Sequence, residues 1–192
     1  DGGAGQADVK LEYRTRPARF SLQARIDEPG GGLITRLAGL PDGTPLSIEL
    51  GGEGPPDKWI GQLVAAAGTL ANIRTELTVA VAGSGATVSI NGVSEFPQLL
   101  PEPLRPLAGP PLTFRADLAF QPGEAVTVSG LTAENGAVTI QGNGGYRFAG
   151  NTIDGTVGVA VLPRPGVALE FEGASAGALQ LDATVSGTIE RP

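Results

Sequence analysis

Two of the side chains that most often carry chemistry are missing from this chain: its 192 residues include no histidine and no cysteine. A Ser-His-Asp triad, a thiol nucleophile, a disulfide and the common zinc and iron sites are therefore excluded. What remains is carboxylates, serines and lysines. A pair of carboxylates flanking one bond can hydrolyse a glycoside. Here, however, Asp27 and Glu28 are sequence neighbours in an expected turn, and no serine stands at a useful spacing from Lys10 or Lys58. Glu53, Asp57, Glu134 and Asp154 stand singly, as solvated or turn-capping acids do. Gly2-Gly3-Ala4-Gly5 opens like a calcium-binding nonapeptide repeat, but Ala7 occupies the place of its aspartate and the pattern occurs once. Trp59, the single tryptophan, follows a proline-rich loop and reads as a core or edge anchor before it reads as a ligand-stacking platform. The expectation is a protein that is not an enzyme, with no catalytic residues, no metal and no cofactor.

Charge and composition narrow the partners. A formal charge of −7 without Lys or Arg clusters argues against nucleic acid, whose phosphates need them. Glycine at 30 and proline at 16 residues, beside 41% apolar residues in long alternating runs, read as many turns between packed strands rather than disorder. The length suits a single elongated domain over residues 1–192. The absence of methionine implies a processed or excised piece of a longer protein, whose leader or membrane anchor would lie outside this sequence. No apolar run approaches the roughly 18 residues of a spanning helix.

The elements follow from periodicity. Between Ala125 and Leu162 apolar residues fall at every second position: Val126 and Val128, Val138 and Ile140, Tyr146 and Phe148, then Ile153, Val157, Val159 and Val161. Thr127, Ser129, Thr139, Gln141, Asn143, Arg147, Asp154 and Thr156 hold the alternate positions, so one face is apolar and the other wet. Gln121-Pro-Gly-Glu124, Glu134-Asn-Gly136, Ala149-Gly-Asn151 and Pro163-Arg-Pro-Gly166 punctuate these segments as hairpin turns. Val9 to Tyr13 and Phe20 to Ile26 predict an earlier hairpin, and Leu46 to Leu50, Ile60 to Ala67, Asn72 to Ala82 and Thr87 to Val93 further strands. Two segments interrupt the alternation. Leu33, Ile34, Leu37 and Leu40 recur at helical spacing after Gly30-Gly-Gly32, which predicts a helix of about two turns. Phe96, Leu99, Leu100, Leu104 and Leu107 keep an apolar stripe through a proline-rich stretch. The similarity of the two suggests degenerate repeat modules over 30–93 and 95–162, followed by strands in 163–192. The last of these strands would leave an unpaired edge near the chain end, so a parent sheet is expected to continue beyond it.

With helix, break and meander in order, the chain resembles the TamB-type translocation and assembly module proteins of the AsmA-like superfamily. The likeness is carried by Leu33 to Leu40 followed by Leu46-Ser-Ile-Glu-Leu50-Gly-Gly-Glu-Gly54, by Trp59-Ile-Gly-Gln-Leu63, and by Leu99-Leu-Pro-Glu-Pro-Leu-Arg-Pro-Leu107 before Leu112. The strand endings Val128-Ser-Gly130, Ile140-Gln-Gly142 and Val185-Ser-Gly187 add to it. The resemblance implies a periplasmic protein of Gram-negative bacteria, tethered to the inner membrane by a segment not in this chain. Its partners would be phospholipid acyl chains and an outer-membrane assembly protein. The expected fold is mainly β: an elongated antiparallel meandering sheet curled into an open trough, with two short helical interruptions. The lipid groove would be formed by Val126, Val128, Val138, Ile140, Tyr146, Phe148, Val157 and Val159. The same residues would equally fill a closed sandwich core, and a second sheet over the apolar face would mark that case. A second functional expectation is a secreted or cell-surface β-domain, an adhesin or carbohydrate-binding module, using loop acids and aromatics. A transmembrane barrel fits the alternation but three Trp and Tyr residues cannot build its aromatic girdles.

Overall fold

Alternation of apolar and polar residues becomes an eleven-stranded sheet in the computed structural model, which describes residues 5–37, 39–96, 110–162, 169–171, 174–176 and 178–188. The strands in chain order are β1 (Gln6–Thr15), β2 (Ala18–Glu28), β3 (Leu46–Gly54), β4 (Lys58–Ala67), β5 (Ala71–Ala82), β6 (Gly85–Glu95), β7 (Leu112–Gln121), β8 (Ala125–Glu134), β9 (Val138–Arg147) and β10 (Thr152–Val161). Two short strands, β11 (Leu169–Phe171) and β12 (Ala174–Ala176), pair with each other, and β13 (Leu179–Thr188) returns to pair with β10. A single helix among the described residues, α1 (Leu33–Leu37), separates β2 from β3. Each strand of the large sheet pairs antiparallel with its predecessor, and the sheet runs open from β1 to β13 without closing into a barrel. The expected mainly-β, open antiparallel meander is the architecture found.

Register decides which residues share a face, because directly opposed residues point the same way. Starting from Leu11↔Leu22, the chain of pairs runs Leu22↔Gly52, Gly52↔Gly61, Gly61↔Leu77, Leu77↔Ile90 and Ile90↔Ala116. On the far side of β8 it continues through Val126↔Tyr146, Tyr146↔Ile153 and Ile153↔Gly187. One face of all eleven strands is therefore apolar. Every charged residue of the sheet lies on the other face except Glu28. The polarity of β8 is kept by a bulge. Between Val128 and Leu131 the ladder to β9 gains a residue, and Gly130 there takes φ 61°, a left-handed conformation that glycine adopts freely. The extra residue moves Leu131 and Ala133 onto the face of Val126 and Val128; strict alternation would have turned them outward.

Among the described residues no second layer lies over this face. Strands contact appreciably only their ladder neighbours, and the closed sandwich is not what forms among the described residues. Most of the buried residues follow one long rim, where the even-numbered strands end, while Gly61, Thr75 and Ala116 are buried mid-strand and Gly54 at the opposite rim. Glu28, Leu46, Ala67, Ser94, Ala133 and Val161 are buried there, at or one residue from a strand end. Ala137, in the hairpin between β8 and β9, packs with Val161, Val138 and Val159.

Two expectations need correction and one lies outside the described residues. Asp27 and Glu28 close β2 rather than occupy a turn, and alternation sends them to opposite faces. The helix predicted over Leu33 to Leu40 spans five residues, because Gly39 at φ 64° turns the chain: its amide donates to Arg36 O at 3.1 Å and that of Leu40 to Thr35 O at 3.0 Å. The second interruption, from Leu99 to Leu107, falls within 97–109 and so outside the described residues.

Candidate functional site

The eight residues expected in the groove sit side by side. Val126 and Val128 on β8, Val138, Ile140 and Tyr146 on β9, and Val157 and Val159 on β10 all project from the apolar face, directly paired at Val126↔Tyr146 and Val159↔Ile140. Phe148 lies one residue beyond β9, where its amide donates to Glu124 O at 2.9 Å. Its ring meets Tyr146 edge-on at 5.4 Å and Phe120 at 6.4 Å, closing one end of the patch with three aromatics. The Tyr146 hydroxyl reaches Asn151 Oδ1 at 3.0 Å, so the ring is apolar on its faces and polar only at its tip. The seven strand residues are half-buried; Phe148 is exposed.

Between them the face is hollow. A depression of about 460 Å³ is walled by Val126, Val128, Leu131, Tyr146, Val157 and Val185. Its floor is backbone, because Gly142, Gly144 and Gly155 occupy successive apolar-face positions on β9 and β10. A Cβ at any of the three would meet a strand carbonyl oxygen at 3.0 Å, so the floor is formed by the ladder itself and no side chain stands over it within that distance. The same face treats its other glycines differently. Above Gly52 and Gly61 lies the Trp59 ring, which a Cβ at Gly61 would strike at 2.1 Å, and above Gly92 lies the Phe114 ring, at 2.5 Å. In the N-terminal half the fold fills its glycine slots with its own aromatics, a known way of restoring packing over strand glycines. Trp59 is thus an anchor. Its indole N–H is buried with no acceptor, which records how completely the ring is laid against the sheet.

The sequence reading missed Leu131, Val185 and the glycine floor. Leu131 was hidden by the bulge, whereas Ile140-Gln-Gly-Asn-Gly144 did carry a signal: glycine twice at positions of apolar parity. It also missed that Val9, Leu11 and Tyr13 of β1 continue the same face, 69%, 63% and 59% exposed.

The opposite face holds the charges in opposed pairs. Arg19 meets Glu53 at 3.0 Å, Arg25 bridges Asp27 at 2.6 Å and Glu49 at 2.9 Å, Lys10 meets Glu12 at 2.8 Å, and Arg147 meets Asp154 at 3.4 Å. The Arg25 hydrogen bond holds the Asp27 carboxyl below its ordinary range, and Lys10 does the same for Glu12. A shallow concavity of about 990 Å³ spans β1 to β4 on this side, larger than the apolar one. Of its charged lining, Lys10, Arg25, Glu49 and Glu53 are already held in ion pairs within the sheet. The candidate acids are not brought together. Glu53 and Asp154 serve the ion pairs just named, Asp57 lies in a turn with its carbonyl accepting from Val81, and Glu134 ends β8. Among the described residues no group of three or more acids could hold a metal.

Glu28, the one charge on the apolar face, is consumed by the fold. Its carboxylate accepts the amides of Ile34 at 3.0 Å and Thr35 at 2.8 Å and the Thr35 hydroxyl at 2.5 Å, capping α1 from the strand beneath. These donors lower its pKa, the Thr35 hydroxyl foremost.

Compared with family models, curated proteins and solved structures, the chain matches none. Geometry alone therefore bears on function: an apolar face that no described residue covers as a second layer, with one glycine-floored hollow, and a reverse face that holds the charges, several of them in ion pairs.

Proposed function

We propose that the protein is a non-enzymatic scaffold that shields lipid acyl chains on its apolar face, with the hollow over Gly142, Gly144 and Gly155 as the principal contact. One observation carries this reading. The sheet places every charge but the capped Glu28 on one side, and among the described residues no covering layer lies over the other. Soluble proteins rarely expose contiguous apolar surface of that extent without a partner for it. Each methylene transferred from water to such a surface gains about 0.8 kcal/mol, and a backbone floor admits a slender chain more closely than a floor of side chains would. In this reading the protein works in the periplasm, tethered to the inner membrane through a segment outside this chain. It serves phospholipid movement toward the outer membrane or the assembly of outer-membrane proteins.

A photo-crosslinking amino acid placed in cells at Val128, Val138 or Val157, with Thr139 as the outward control, tests it. Phospholipid adducts from the three inward positions and none from Thr139 are expected. A folded protein that gives no lipid adduct, or equal adducts from both faces, overturns the proposal.

A further inference from the structure

We infer that a second copy of this chain pairs onto the outer edge of β1, antiparallel and in one register, with Leu11 opposite the partner's Leu11. Among the described residues β1 is hydrogen-bonded on one side only, to β2. Edge strands are usually blunted by proline, by bulges, by charged side chains or by a charge on the inward face. β1 has only the third: its ten residues contain no proline, its ladder to β2 has no register break, and Ala7, Val9, Leu11, Tyr13 and Thr15 make up its uncharged inward side, its four charges all lying on the polar side. The pattern on its polar side argues for a particular occupant. Asp8, Lys10, Glu12 and Arg14 alternate in sign along it.

An antiparallel pair related by a twofold axis perpendicular to the sheet keeps both apolar faces on the same side and is self-complementary by construction. Centred on Leu11, it sets Asp8 against the partner's Arg14 and Lys10 against the partner's Glu12, with both contacts repeated by symmetry. Val9 then meets the partner's Tyr13, an aliphatic-aromatic pair. Slipping the register destroys this. Centred on Lys10, the pairing opposes Lys10 to itself and Asp8 to Glu12; centred on Glu12, it opposes Glu12 to itself and Lys10 to Arg14. Centring on Val9 or Tyr13 keeps only half the attractive pairs and shortens the ladder. The opposite edge carries no such code, since Asp182 is the only charge on β13. Pairing through β1 alone closes the assembly at two copies, and the charges it uses are exposed and free to exchange their present partners along the strand. The dimer does not depend on the lipid reading; it would extend one apolar face across both copies.

Sedimentation of the full chain and of two charge reversals tests the inference. Lys10→Glu and Glu12→Lys should each raise the dimer dissociation constant by about tenfold or more, since each turns two attractive cross-strand pairs repulsive. An equimolar mixture of the two variants should recover the dimer, because each then meets opposite charges on the other. An intramolecular effect of either substitution would not be cured by mixing. Leu11→Cys, in a chain without other cysteines, should form a disulfide-linked dimer under mild oxidation, whereas Leu181→Cys on the β13 edge should not. A chain that remains monomeric up to about 1 mM overturns the inference. So do an unchanged constant in both charge variants and equal crosslinking at the two edges.

Discussion

Glu28 shows how one residue is recruited by its local surroundings. On the apolar face a carboxylate is costly unless its oxygens are satisfied, and here the first amides of α1 and the Thr35 hydroxyl satisfy them. Because these donors bond the ionised form, the folded pKa lies below the ordinary value of 4.5. A folded pKa that is depressed contributes stability that is complete above the unfolded value and is lost as pH falls through the folded one. Glu28→Gln should therefore lower Tm at pH 7 and narrow its deficit against the parent chain as pH falls below about 4.5. A deficit that is constant from pH 7 to about 3 would show that the ionised carboxylate is not what holds α1. The adjacent glycines Gly51 and Gly52 give a second comparison at this scale. A Cβ at Gly52 would lie 2.3 Å from the Trp59 ring, while one at Gly51, on the charged face, meets nothing within 4 Å. Gly52→Ala should cost about 1–3 kcal/mol by overpacking, and Gly51→Ala should be neutral or stabilise by about 0.5 kcal/mol. Urea unfolding followed by the single tryptophan reads both; equal effects would mean that Trp59 does not lie where the glycines require it.

At the scale of the strand, the alternation that made the fold legible also makes it testable. Val157 and Thr156 are neighbours in β10 that point to opposite faces. Val157→Lys places an ammonium on the apolar face and should destabilise by about 2 kcal/mol or more. Thr156→Lys, near Asp154 and Asp182 on the charged face, should stay within about 0.5 kcal/mol. Equal harm would mean that both faces are packed. The strands and their turns could be read from the sequence because period-two patterns and turn residues coincide: Asn135, for example, uses its side-chain oxygen to accept the amides of Ala137 and Val138 at the predicted turn. What was not legible depended on contacts between elements. The strand read from Phe20 to Ile26 and the turn read at Asp27 and Glu28 gave way to a longer β2, whose last residue, Glu28, finds its partners on α1. Leu131 alternates wrongly until the bulge at Gly130 is known. The groove residues were legible as a face, whereas the hollow within it is not written in any one strand. It arises because glycines from β9 and β10 come side by side while no aromatic lies over them.

The whole molecule is a one-dimensional array. Among the described residues each strand is held by its ladder neighbours and by no element opposite, so stability should be close to a sum of neighbouring hairpin terms, as in repeat proteins, with the least protection where a strand has one neighbour. The buried rim modifies this gradient, since it buries residues at the ends of β2, β3, β4, β6, β8 and β10 while leaving β1 and β13 outside it. Both end strands also expose their apolar side chains, Leu179, Leu181 and Val185 on β13 by more than half and Val9 and Leu11 on β1 somewhat more. Amide hydrogen exchange at low protein concentration should accordingly show fast exchange in β1 and β13 and slow exchange from β3 to β9, in a graded rather than uniform profile. Uniform protection across the sheet would reveal a covering layer and remove the basis for an open apolar face. The two ends should then part company as concentration rises. If β1 pairs with a second copy, its outward amides gain protection with concentration, while those of β13 do not. The same asymmetry separates specific pairing from aggregation, because non-specific association of an apolar face would protect both ends alike.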